Sequence, residues 1–243
     1  APAIINADRK QEIDWITFDR ITSAFAMQLV RLGFRKGDFL ATSLPLLTEH
    51  LFLEYACFKF GAILVPLDLR LPPADVIRSI GLIRPRGFIF LGSTPVSDFR
   101  ELGRAVKKHC PYVERFVQFS PPEELIEGAE SFYSLAKEAN AIASGALEPS
   151  LLSDLESAYQ RANASVDEED GALVIFTTGS TGSPKPALLS HRNITCENMC
   201  ISAAFFEGDA GTTTLVNLPP SHVGCQTELL MGTLFGGGTA VIL

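Results

Sequence analysis

Short apolar runs alternating with helical repeats constrain this chain more than any other feature. Phe18, Ile21, Phe25, Leu29 and Leu32 recur at helical spacing, and Gly33 supplies a C-terminal stop. Residues 38–44 read as a strand, and Thr48 caps a helix expected to reach Phe60 before Gly61. Residues 62–65 form the next strand. Pro72 and Pro73 begin a helix that ends near Arg84–Pro85. Residues 87–91 are a third strand, Ser97 opens a helix ending near Cys110, and residues 112–119 are a fourth strand. Strands separated by helices of about 12 residues imply parallel pairing with both sheet faces covered. Ligands on such sheets gather at the carboxyl ends of the strands. The expected fold class is α/β, with mostly parallel sheets flanked by helices.

Residues 121–166 break the alternation. Helical stretches near 124–135 and 151–161 flank a Ser-Gly-Ala-Leu-Glu-Pro stretch. The segment reads as an acidic surface excursion between a first α/β sub-region (1–120) and a second (167–243). Between Ser120 and Asp170 lie 12 of the 28 acidic residues and 2 of the 20 basic ones, so the net charge of -8 belongs to this segment. The remainder is near balance and carries no basic footprint for nucleic acid. In the second sub-region, Ser190 caps a helix through about Phe205. Residues 213–218 form a strand, a helix lies near 227–235, and Thr239 opens a further strand. That strand needs covering, so the fold is expected to continue beyond Leu243. Uncovered apolar surface would then favour self-association of the segment alone.

Hydrophobic residues make up 47% of the 243, ample for a sizeable core. No apolar run reaches the ~18 residues that span a bilayer. The N-terminus lacks the pattern of a secretory signal, and the five cysteines are an odd number; together these fit reduced thiols in a cytoplasm. Cys196 and Cys200 share a helix face without further ligands, which favours core packing over a metal site.

The stretch Thr177-Thr178-Gly179-Ser180-Thr181-Gly182-Ser183-Pro184-Lys185 follows the apolar run 172–176. A buried strand thus delivers glycines, hydroxyls and one lysine to its carboxyl end. Glycines let amides approach phosphate oxygens, hydroxyls add donors and lysine adds charge. The Walker pattern is excluded because Lys185 stands between Pro184 and Pro186. The dinucleotide fingerprint is excluded because Gly179 and Gly182 are three apart. A Ser/Thr/Gly turn without a ligand remains the alternative.

The order of motifs around this loop resembles the AMP-forming adenylating superfamily, which includes acyl-CoA synthetases, amino-acid adenylation domains and beetle luciferases. Thr177–Lys185 is similar to its Thr-Ser-Gly-Thr-Thr-Gly-x-Pro-Lys-Gly loop, and Ser190-His191-Arg192-Asn193 to the Ser/Thr-His-x-Asn that follows. Pro219-Pro220-Ser221-His222-Val223-Gly224 is similar to a later Pro-x-x-His-x-x-Gly stretch, with the glycine one place early. Gly37–Ala41 and Phe60–Leu67 resemble two early segments. Pro186 departs from the pattern, which has glycine there.

The resemblance implies the N-terminal part of the multi-layer αβαβα fold of acyl-CoA synthetases. It also implies an ATP-dependent carboxylic acid:CoA ligase, with a fatty acid the leading substrate class and magnesium assisting. Thr177, Thr178, Gly179, Ser180, Thr181, Gly182 and Lys185 would hold the ATP phosphates, and His222 and Gly224 would lie at the acyl and nucleotide pocket. The main catalytic groups, the adenine and ribose contacts and a mobile C-terminal domain are not found in these residues, so the segment alone is expected to be inactive. His191 is expected to organise the turn after the loop strand, and His50 and His109 to be structural residues without partners. An acyl-AMP ligase or amino-acid adenylation domain remains an alternative, as does a non-catalytic nucleotide-binding or assembly module.

Overall fold

A computed structural model describes residues 1–146, 149–177, 184–206 and 211–243, the side chains of 149–151 and 205–206 excepted. The first two strands, β1 (Pro2–Asn6) and β2 (Gln11–Asp14), form an antiparallel pair that the alternating pattern does not announce. Buried Ile4 and Ile13 are partners in that register. The Asp14 carboxylate then accepts from the Thr17 amide at 2.7 Å and caps α1 (Trp15–Arg31). Gly33, at φ 92°, turns the chain out of this helix.

The expected alternation follows: β3 (Phe39–Ser43), α2 (Thr48–Phe60), β4 (Ile63–Pro66), α3 (Pro73–Ile83), β5 (Gly87–Leu91), α4 (Arg100–His109) and β6 (Arg115–Phe119). Thereafter come β7 (Ala129–Ser131), α5 (Phe132–Ala143), α6 (Pro149–Asn163), β8 (Gly171–Thr177), β9 (Lys185–Ser190) and α7 (His191–Ile201). The last elements are a π-helical turn (Ser202–Phe206), β10 (Thr213–Leu215), a second π-helical stretch (Gly224–Met231), α8 (Gly232–Phe235) and β11 (Thr239–Ile242).

Seven strands make one sheet in the order β7-β6-β5-β3-β4-β8-β9, parallel except for the β8–β9 pair. Alternation along β3 divides the core between the two faces of this sheet. Leu40 joins the cluster formed with α1, α2 and α5, and Ala41 joins the cluster formed with α3 and α4. A second sheet, β10-β11-β1-β2, is parallel at β10–β11 and at β11–β1. β11 is therefore paired on both edges.

The structure corrects several expectations. Thr48 does not cap α2. It is the first helical residue, and its Oγ1 accepts from Asn6 Nδ2 at 3.0 Å, tying β1 to α2. α4 starts at Arg100, because Thr94 and Ser97 bond to each other in a tight loop. Residues 121–166 are not a surface excursion. β7 extends the sheet, and Phe132, Leu135, Ala139 and Ile142 enter the core. The helix expected over 124–135 fails because buried Gln118 reaches across. Its Oε1 accepts from the Ile126 amide at 2.9 Å, and its Nε2 donates to the Glu124 carbonyl at 3.0 Å. These non-local bonds hold the backbone open until Ser131 caps α5. All three sequence portions contribute strands to the large sheet. Cys196 and Cys200 are exposed on α7 rather than packed, whereas Cys57, Cys110 and Cys225 are buried.

Phe132 is the centre of the α1–α5 contact. Its ring stacks on Phe119 at 3.8 Å and on Phe25 at 5.7 Å, and it is 1% exposed. Phe132→Ala is expected to destabilise the fold by about 3–5 kcal/mol, read from urea denaturation.

One buried group acts the other way. Glu54 on α2 is fully buried, and neither carboxylate oxygen has a hydrogen-bond partner. Desolvation pushes its carboxyl well above the ordinary value of 4.5, so the fold keeps a proton that the unfolded chain releases. The folded state then binds more protons above that value, and stability falls as pH rises through it. Glu54→Leu is expected to raise the denaturation midpoint, and to raise it more near about pH 7 than near about pH 4.

Candidate functional site

The carboxyl ends of β3, β4 and β8 converge on one side of the large sheet, where three connections leave it. Thr42 of β3 pairs with Pro66 of β4, and Leu64 pairs with Leu173 of β8. β8 ends at Thr177, whose register partner is Lys185 at the start of β9. The loop between them therefore leaves the sheet at this edge. Thr178, Gly179, Ser180, Thr181 and Gly182 lie outside the described residues. Thr177 spans the neck of the loop, its hydroxyl donating to the Lys185 carbonyl at 3.4 Å. Lys185 is exposed. Pro186 sits opposite Phe176 on β9, the outermost strand of the sheet, a position where proline is tolerated.

A cavity of about 300 Å³ lies against this edge. Phe176 and Pro184, the residues on either side of the loop, line it together with Leu67, Arg70 and His222. A second cavity of about 300 Å³ adjoins it, lined chiefly by apolar residues such as Leu44, Leu46, Val216 and Leu218. Leu67, Asp68, Arg70, Pro219 and Ser221 belong to both. Two arginines lining the first cavity are already matched. Arg70 forks onto Asp68 at 2.6 and 2.9 Å, which holds that carboxyl below its usual range, and Arg78 pairs with Asp75 at 2.9 Å.

His222 is set by backbone geometry. Its amide donates to the Pro219 carbonyl at 3.0 Å, and its Nδ1 accepts from the Gly224 amide at 3.0 Å. An accepting Nδ1 places the hydrogen of the neutral ring on Nε2, leaving that edge as a donor. Gly224 does not line the cavity; it orients His222. Buried Gln226, two residues on, donates through Nε2 to the Pro220 carbonyl at 2.9 Å and lies 3.3 Å from His50 Nε2. His50 was expected to have no partner, and this contact corrects that reading.

His191 stands apart. Gly171 pairs with Ser190 at the opposite end of β8–β9, six residues or roughly 20 Å of strand from Thr177. There the His191 amide donates to the Asp170 carbonyl at 3.1 Å, and its ring packs edge-on against Phe58. Burial lowers its pKa, partly opposed by Asp170. Among the described residues no group of three or more His, Cys, Asp or Glu converges as a metal site. No helix among them is long and apolar enough to cross a membrane.

Asp68 and Arg70 were not singled out from the sequence. The signal was present: they follow β4 at its carboxyl end, where such sheets collect ligands.

A mostly parallel sheet flanked by helices matches the N-terminal domains of adenylate-forming enzymes. The chain belongs to the family described as AMP-binding enzyme, which matches residues 1–243. Acyl-CoA synthetase ALT10 of Alternaria alternata is 27% identical over 243 residues, 99% of this chain and 42% of that protein. Crotonobetaine/carnitine--CoA ligase of Salmonella arizonae is 26% identical, over 98% of this chain and 42% of that protein. The ATP-bound structure of MatB from Rhodopseudomonas palustris superposes with a TM-score of 0.74 at 20% identity, covering 100% of this chain and 42% of that one. The chain thus spans under half the length of these relatives.

A methyl group added at Gly224 would sit 3.2 Å from His222 Nδ1, closer than most such contacts. Gly224→Ala is expected to displace the His222 ring. Long-range ¹⁵N spectra should show His222 with its hydrogen on Nε2 in the parent protein, and a shifted His222 signal in the variant with the other three of the four histidines unmoved.

Proposed function

We propose that the whole protein activates a carboxylic acid with ATP and transfers the acyl group to coenzyme A. The observation that carries this reading is the shared edge: residues flanking the phosphate-type loop line one cavity with His222, and that cavity abuts an apolar one. The first suits a nucleotide's phosphates, and the second suits the hydrocarbon part of an acid. Membership of the AMP-binding family and the names of its relatives support the same assignment.

In the first step a carboxylate oxygen attacks the α-phosphorus of ATP, the bond to the β-phosphate oxygen breaks, and pyrophosphate leaves. Thr178, Ser180 and Thr181 would donate hydroxyls to the phosphates, Gly179 and Gly182 would allow close backbone approach, and Lys185 would add charge. Thr177 would hold the neck of the loop. His222, donating from Nε2, would face the acid or the nucleotide. In the second step the thiol sulfur of coenzyme A attacks the acyl carbon, AMP departs with the bonding electrons, and the thiol proton is released. Magnesium would travel with the ATP phosphates and neutralise their charge; among the described residues no group of three or more His, Cys, Asp or Glu would hold it. The apolar second cavity favours a hydrocarbon acid over an amino acid.

Full-length protein should catalyse ATP–pyrophosphate exchange with hydrocarbon acids such as octanoate and form the thioester when coenzyme A is added. Lys185→Ala should raise the KM for ATP by about tenfold or more, the loss of one charge-assisted contact. Residues 1–243 alone should show no exchange. Absence of exchange with every acid in a broad panel would sink the proposal, and steady exchange by residues 1–243 would refute the expected inactivity of the segment.

A further inference from the structure

The segment Leu218–His222 borders both cavities, Pro219 and Ser221 lining each, yet it has no strand or helix of its own. What fixes it comes from the π-helical stretch behind it and from α2. The Cys225 thiol donates to the Leu218 carbonyl at 3.1 Å, the Cys225 amide to the His222 carbonyl at 3.0 Å, and the Gln226 side chain to the Pro220 carbonyl at 2.9 Å. Gln226 is fully buried, and the group nearest its amide on the other side is His50 Nε2.

These polar groups are poorly satisfied. Gln226 Oε1, His50 Nδ1 and both oxygens of Glu54, one turn from His50 on α2, are buried with no hydrogen-bond partner. A core that served stability alone would place apolar side chains at all three positions, because unpaired buried polar atoms weaken the fold. Local departures from that rule concentrate where a site needs them.

We infer that Gln226 is a positioning residue for the acid site, holding the Leu218–His222 wall through the Pro220 carbonyl while His50 holds the Gln226 amide. This rests on the proposed acid activation only for its catalytic consequence. The Gln226 amide offers two hydrogens, one to Pro220 and one to His50 Nε2, so His50 is a neutral acceptor. Burial lowers the His50 pKa to about 4, which keeps the ring neutral in that role at neutral pH.

The test compares Gln226→Leu and His50→Leu in full-length protein, with His50→Gln as the variant that keeps a polar partner. Three readouts are taken: thermal stability, amide exchange of the 218–226 peptide, and kinetics with octanoate and ATP. The leucine variants should keep or raise thermal stability while exchange in 218–226 quickens ~tenfold or more. The KM for octanoate should rise by about tenfold, and His50→Gln should restore both exchange and KM toward the parent. Unchanged exchange in 218–226 overturns the inference. A loss of thermal stability with exchange rising through the whole chain also overturns it, since that is a plain structural role. If the parent protein does not turn over octanoate but exchange quickens locally, the substrate reading fails and the positioning role stands.

Discussion

The parallel alignment of β3, β4 and β8 decides where everything else in this protein goes. Leu64 beside Leu173 brings a strand from late in the chain against one from early in the chain. That pairing sets the end of β8, and with it the loop neck at Thr177 and Lys185, beside the connection after β4 that carries Leu67, Asp68 and Arg70. Both faces of the sheet carry core clusters, so its central strands are largely apolar and register is held by packing on two sides. The loop neck, Arg70 and His222 gather at the carboxyl edge.

A second constraint acts across the two sheets. β11 pairs with β1, and Asn6 at the end of β1 bonds to Thr48 at the start of α2. α2 in turn carries His50 toward Gln226. The wall that contains His222 is therefore braced by a helix whose sequence pattern says nothing of this role. The unpaired oxygens of buried Glu54 and the unpaired Nδ1 of His50 show α2 giving up part of the stability an all-apolar face would provide.

Much of the first half was legible because alternating strands and helices depend on local pattern. β5 falls at 87–91 as expected, Gly61 closes α2 in the left-handed region, and later in the chain Ser190 caps α7 while its own amide donates back to Asn193 Oδ1. Residues 121–131 were misread because Gln118 overrides a helical pattern with bonds across six to eight residues. The β1–β2 pair was missed because its strands are short and only Ile13 of β2 is buried. Exposed Cys196 and Cys200 show the limit of spacing: i, i+4 places two side chains on one face but does not say which face is covered.

At the candidate site the sequence by itself determined the chemistry on offer: the run of glycines, hydroxyls and lysine, the later histidine, and their order along a parallel α/β chain. Those follow from residue identity and short-range pattern. Only the tertiary structure decided that Phe176, Pro184 and His222 line one cavity, that His191 lies at the far end of β8, and that His50 touches Gln226 across 176 positions of sequence. Such contacts are set by the packing of sheet on helix, whose geometry is a property of the whole core and of no single stretch of it.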